Sequence, residues 1–173
     1  MDQERLTYGS VVESPVTVYP LADRPELLIP LARIRWHEWG GEAGREDLRW
    51  FIDTTRAETG VTGLPVTLVA VDPDGQVLGG VGLIPVEFPE LADRGPWVVG
   101  TIVRADHRGR GVGVALMARL SRWAADAGTD RLWVATGGPA VGFYRRCGFT
   151  VAEVALLSNG DRPTVLTASV AAG

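Results

Sequence analysis

One stretch constrains this chain more than any other, residues 97 to 123. Trp97-Val-Val-Gly-Thr-Ile-Val103 is apolar and β-branched, which reads as a buried strand. Val112, Leu116, Leu120 and Trp123 then recur at helical spacing. The turn between them carries Gly109, Gly111 and Gly113. A strand that enters a helix through such a turn leaves the first backbone N–H groups of the helix without partners, at the positive end of its dipole. This arrangement suits an anion, a phosphate above all, and glycine lets the backbone come close to it.

Three phosphate motifs compete here. A P-loop closes on Gly-Lys-Ser/Thr, and the chain has no lysine. The dinucleotide fingerprint G-x-G-x-x-G needs glycine or alanine at 114 or 116, which are valine and leucine. The third pattern, R/Q-x-x-G-x-G/A, is met in full by Arg108-Gly-Arg-Gly111-Val-Gly113. On these residues the chain resembles the GNAT superfamily of N-acetyltransferases, whose pyrophosphate loop has that form. Val103-x-Ala105-x-x-Arg108-Gly109 is similar to the strand-to-loop signature of the same family, with alanine where proline is frequent. Phe143-Tyr144-Arg-Arg-Cys-Gly148-Phe149 resembles a second family signature, the short helix whose tyrosine lies near the coenzyme sulfur.

The chain has 173 residues, enough for one domain with a real core. Its composition, 46% hydrophobic and 22% charged, is that of a globular protein. A net charge of −4 gives no basic field for nucleic acid. Cys147 is the single cysteine, so no internal disulfide forms, which is compatible with a cytoplasmic location. No apolar run reaches the roughly 18 residues of a membrane span, and no signal peptide is expected at the polar N-terminus. With two histidines and one cysteine, no zinc-ligand spacing exists, and no metal is expected. Ser121 has no histidine or acid at the spacing of a hydrolase triad.

Taken in order, 16–19 reads as a strand. Asp23 and Pro25 then open a helix with Leu27, Leu28, Leu31, Ile34 and Trp39 on one face and a kink at Pro30. A second helix is predicted over 45–59, with Leu48, Phe51 and Ile52 inward. Residues 65–71 and 76–86 form a hairpin about the Asp72-Pro-Asp-Gly75 turn, and Gly79, Gly80 and Gly82 point to a bulge or a close backbone contact. After the 97–123 unit come a strand at 131–135, a short helix at 140–147, and strands at 149–157 and 163–170 joined through Asn159-Gly160. This order gives a mixed sheet with helices on its faces. The resemblance implies one N-acetyltransferase domain over 1–173; residues 1–14, polar throughout much of their length, read as a loosely held arm. Its fold would be α/β (α+β) and GNAT-like, a mixed sheet of about seven strands flanked by about four helices and splayed between the fourth and fifth strands.

The resemblance also assigns chemistry. Acetyl-CoA is the implied co-substrate, with the backbone of Gly109, Arg110, Gly111, Val112, Gly113 and Val114 on its pyrophosphate and Arg108 and Arg110 adding charge. Thr101, Ile102 and Val103 would lie along the thioester and pantetheine arm, with the Val103 N–H polarising the acetyl carbonyl. Tyr144 is the implied general acid, since a phenol with a pKa near 10 keeps its proton at neutral pH. The glutamate that many family members carry on the fourth or fifth strand is missing here. Glu87, read on the third strand beside the expected substrate cleft, ranks first as the base, followed by Glu38, His37 and Glu90; a water chain is another route. Trp36, Trp39 and Trp50 fit either helix packing or an aromatic wall of the acceptor site. The expected reaction is direct acetyl transfer to a primary amine, and the acidic loop 87–93 favours a cationic acceptor. Two alternatives stay open: an acyl-CoA-binding regulatory module without turnover, and a transferase of a larger acyl group, with room left by the glycines at 79, 80 and 82. No nucleic-acid or membrane partner is expected, and a homodimer is compatible with the sequence.

Overall fold

The computed structural model describes residues 15–170, so the arm expected over 1–14 lies outside the described residues. The strands are β1 (Thr17–Pro20), β2 (Val66–Val71), β3 (Val77–Ile84), β4 (Trp97–Val103), β5 (Arg131–Thr136), β6 (Thr150–Val154) and β7 (Thr164–Ser169). The helices are α1 (Leu28–Trp39), α2 (Leu48–Ala57), α3 (Val112–Asp126) and α4 (Ala140–Arg146). All seven strands join one sheet in the order β1-β2-β3-β4-β5-β7-β6. Every neighbouring pair is antiparallel except β4 and β5, which run parallel.

Both faces of the sheet are covered, which is why β2 is buried along its whole length instead of alternating between buried and exposed. Leu68 and Ala70 pack with Val112, Leu116, Met117 and Leu120 of α3 on one face. Val69 and Val71, pointing the other way, pack with Leu31 of α1 and Ile102 of β4. The glycines of β3 permit these close approaches. A Cβ on Gly80 would sit 2.8 Å from both methyls of Leu31, and one on Gly79 would collide with the Ile102 carbonyl. At Gly79 and Gly80 the space a side chain would take is thus filled by packing.

Two features of β4 decide the site. First, its pairing with β3 slips: Gly80 lies opposite Ile102 and Gly82 opposite Val99, so Gly100 and Thr101 together face Val81. This is a β-bulge, and Gly100 adopts φ +59° within it. A bulged strand bends. Second, β4 and β5 pair only at Trp97 and Trp133, then diverge. The expected splay between the fourth and fifth strands is present.

Several local expectations shift. Asp23 does not open a helix; 3-10 turns at Leu21–Asp23 and Pro25–Leu27 precede α1. Pro30 then falls in the first turn of α1, where no backbone N–H has a helical acceptor, and needs no kink. Helix α2 begins at Leu48 rather than 45, because the Asp47 carboxylate caps it by accepting from the Arg49 N–H at 2.9 Å. Strand β3 stops at Ile84, just before Pro85, which has no N–H for a ladder. Glu87 consequently lies in the loop after β3, not on the strand.

Candidate active site

The divergence of β4 from β5 opens a cleft of about 900 Å³. Its floor is Val98 to Val103, its far wall is Val134 to Thr136 with Tyr144, and its mouth is the glycine turn. Among the described residues, the backbone N–H groups from Gly109 to Val114 donate to no other group; the first bond of α3 is Ala115 N–H to the Gly111 carbonyl at 2.9 Å. Gly111 takes φ +82° as the residue capping α3, with no side chain on those amides. A Cβ on Gly109 would meet nothing, whereas one on Gly113 would press on Phe143 at 3.0 Å. Gly113 is therefore required by the packing of α4 against α3, beyond any contact its amide makes. Along β4, Arg104 N–H donates to the Leu78 carbonyl at 2.8 Å. Successive amides alternate sides, so the Val103 N–H faces the open cleft.

Tyr144 stands in α4 and is 6% exposed. Its hydroxyl donates to Thr101 Oγ1 at 2.9 Å, which fixes the phenol against the bulge of β4. Burial pushes its pKa up to about 12, with Cys147 and Glu87 contributing in the same direction.

A second chamber, of about 310 Å³, continues from the cleft toward α1 and α2. The two share Trp39, Glu87, Val99 and Gly100. Arg35 is buried in its wall at 3% exposure. It donates to Glu58 Oε2 at 2.9 Å, to Thr55 Oγ1 at 3.1 Å and to the Gly100 carbonyl at 3.4 Å. One arginine thus ties α1 and α2 to the bulge. A Cβ on Gly100 would lie 2.6 Å from the Arg35 guanidinium, so Gly100 is needed for space as well as for its φ. Glu87 sits where the two chambers meet. One of its oxygens is buried without a hydrogen-bond partner. Burial, reinforced by the nearby Glu58 carboxylate, raises its pKa from 4.5 to about 7.

A bare-amide loop over a parallel strand split is a fold-level feature, and comparison with known proteins agrees with it. The profile of the Acetyltransferase (GNAT) family matches residues 28–149. The chain belongs to the GNAT acetyltransferase family. Its fold is similar to that of an aminoglycoside 6'-N-acetyltransferase complexed with coenzyme A, at TM-score 0.72 and 16% identity, covering 91% of this chain and 97% of that one. An aminoglycoside 6'-acetyltransferase type Ii is similar at TM-score 0.70 and 18% identity, with 91% and 97% covered. Tetrahymena GCN5 follows at TM-score 0.61 and 18% identity, with 86% and 89% covered. At these identities the likeness is one of fold. Among curated proteins, none matches the sequence significantly.

In this GNAT acetyltransferase, Thr101, Ile102, Val103, Arg108, Gly109, Gly111, Val112, Gly113, Val114, Glu87 and Tyr144 all line the one cleft. Arg110 does not, and is exposed. The Arg108 guanidinium is already engaged by the Val103 carbonyl at 2.9 Å and by Glu38 at 2.8 Å. Glu90 accepts the Ser158 N–H at 2.7 Å, and His37 is exposed against the Trp36 ring. Of the four base candidates, Glu87 alone has a buried oxygen without a partner among the described residues. Trp39 and Trp50 line the inner chamber, while Trp36 turns away to the Glu46 carbonyl. Sequence reasoning missed Arg35, Glu42 and Glu58. Only an arginine on the apolar side of a predicted helix, three residues before Glu38, could have hinted at them. Among the described residues, no group of His, Cys, Asp and Glu could hold a metal, and no helix is long and apolar enough to cross a membrane.

Proposed function

We propose that this chain transfers an acetyl group from acetyl-CoA to a primary amine by direct attack in a ternary complex. The observation that carries the reading is the lining of the cleft between β4 and β5. Along it, free main-chain amides, a protonated phenol and a carboxylate with one unpartnered oxygen border one space. Acetyl-CoA would bring the acyl group as a thioester, its pyrophosphate on the amides of Gly109 to Val114. These amides have no partner among the described residues, which supports the fit.

The residues divide the work as follows. Glu87 takes a proton from the incoming ammonium, and its raised pKa of about 7 suits it to do so near neutrality. The free amine adds to the thioester carbonyl, and the Val103 N–H hydrogen-bonds the oxygen that becomes negative. The C–S bond breaks as the carbonyl re-forms; Tyr144 gives its proton to the departing sulfur, and the second proton, still on the attacking nitrogen, passes through solvent to the phenolate, leaving a neutral amide, a free thiol and the first proton on Glu87. Thr101 orients that phenol through the hydrogen bond at 2.9 Å. No covalent enzyme intermediate is involved: Cys147 has a pKa raised by burial, which disfavours the thiolate a nucleophile needs.

Thiol release from acetyl-CoA over a panel of primary amines tests the proposal. Turnover that depends on both acetyl-CoA and an amine is expected. Tight acetyl-CoA binding without turnover on any amine would instead support a binding module.

A further inference from the structure

The inner chamber already holds a cation that the proposed reaction does not use. Arg45 lies in the connection between α1 and α2. Its guanidinium carbon sits 5.2 Å from the centroid of the Trp50 ring, and its Nη1 donates to Glu42 Oε2 at 3.1 Å. All three side chains line the chamber whose inner end holds Glu87. An aromatic face and a carboxylate converging on one positive group form a cation site, whatever carries the charge.

The charges of the chamber show why this site matters. Three carboxylates line it, Glu42, Glu58 and Glu87, against two guanidinium groups, Arg35 and Arg45. Arg35 is buried and bound to Glu58 on one side and the Gly100 carbonyl on the other, so that pair is closed. Glu87 pairs with no cation among the described residues, and one of its oxygens has no partner there. Arg45 is held quite differently from Arg35: its side chain is 49% exposed and that of Glu42 is 55% exposed. Contacts of this kind hold a long side chain weakly. If Arg45 swings outward, two uncompensated carboxylates face the chamber, Glu42 at one end and Glu87 at the other.

We infer that Trp50 and Glu42 form a second cation subsite, which takes the distal positive group of a small dicationic acceptor, and that Arg45 fills it until such an acceptor displaces it. The inference rests on the reading of the chain as an amine acetyltransferase. The amine to be acetylated loses its proton at Glu87, while the distal group keeps its charge over Trp50. A monoamine has nothing to offer the outer site and leaves Arg45 in place.

Calorimetric titration of the full chain with coenzyme A present, using straight-chain α,ω-diamines and monoamines of matching length, tests this without requiring turnover. A cation–π contact together with a half-exposed ion pair, less the contacts Arg45 gives up, makes the best-fitting diamine bind about tenfold more tightly than its monoamine. In Trp50→Ala and in Glu42→Gln, the second of these an exposed change with no packing cost, that ratio falls toward about one. Arg45→Gln removes the competitor and raises the ratio. Equal affinity for diamines and monoamines in the unaltered protein would overturn the inference, as would weaker diamine binding in Arg45→Gln. Diamine preference without acetyl transfer would keep the subsite and sink the transferase reading. Transfer to monoamines with no diamine preference would do the reverse.

Discussion

Replacing Glu87 by glutamine isolates the most perturbed acid in the cleft. The folded protein holds the Glu87 proton up to a pH of about 7, whereas an ordinary glutamate releases it near 4.5. The folded state therefore binds more protons than the unfolded chain between these values, and stability falls as pH rises through the interval. Ionised Glu87 is thus a cost to the fold at and above neutrality, complete once pH exceeds its folded pKa. At about 1.4 kcal/mol per tenfold, the interval corresponds to about 3 kcal/mol, and partial exposure of the side chain brings this to about 1–3 kcal/mol. Glutamine has the same shape and no charge, so Glu87→Gln removes that cost. Urea unfolding of both proteins across pH measures it. The two stabilities should agree near pH 4.5 within about 0.5 kcal/mol and separate in favour of the variant up to a plateau by about pH 8. The same substitution should abolish the rise of the acetylation rate through about pH 7 and lower turnover by about a hundredfold or more. Stability profiles that run parallel would refute the buried, unpaired carboxylate. A retained rise in rate would move the base elsewhere.

Other substitutions probe the remaining parts. Tyr144→Phe should lower turnover by about a hundredfold with little change in coenzyme affinity; an unaltered rate would remove the phenol from the proton path. Gly111→Glu should abolish coenzyme binding in direct titration, because it puts a side chain and a negative charge at the amides and strains a residue at φ +82°. Gly100→Ala should lower stability by about 1–3 kcal/mol in chemical unfolding, through the left-handed backbone and the 2.6 Å approach to Arg35. If Gly100→Ala were neutral, the bulge would not be clamped by Arg35.

The homology-independent signals in the sequence were of two kinds. Period and punctuation placed the strands and helices, because apolar burial and turn chemistry act over a few residues. The boundaries that moved did so for reasons of single residues. Pro85 ended β3, Asp47 started α2, and the 3-10 turns before α1 left Asp23 without a capping role. Composition gave a weaker guide to charge. The acids of the 87–93 loop suggested a cationic acceptor, but Glu90 bonds the Ser158 amide, and Arg94 pairs with Glu153 beside Asp93. Of that loop only Glu87 lines the chamber, where Glu42 and Glu58 join it from the α1–α2 connection and the end of α2.

The sequence alone determined the phosphate-ready turn, since glycines between a strand and a helix leave amides bare whatever surrounds them. It also determined the tyrosine helix and the order of elements. Only the tertiary structure decided that one Glu87 oxygen is buried without a partner among the described residues, that Thr101 holds the Tyr144 hydroxyl, and that Arg35 fixes the β4 bulge to the helices above it. Residues 35, 58 and 100 are distant along the chain, and their interaction depends on a buried site of low dielectric that exists only once the sheet and helices have packed.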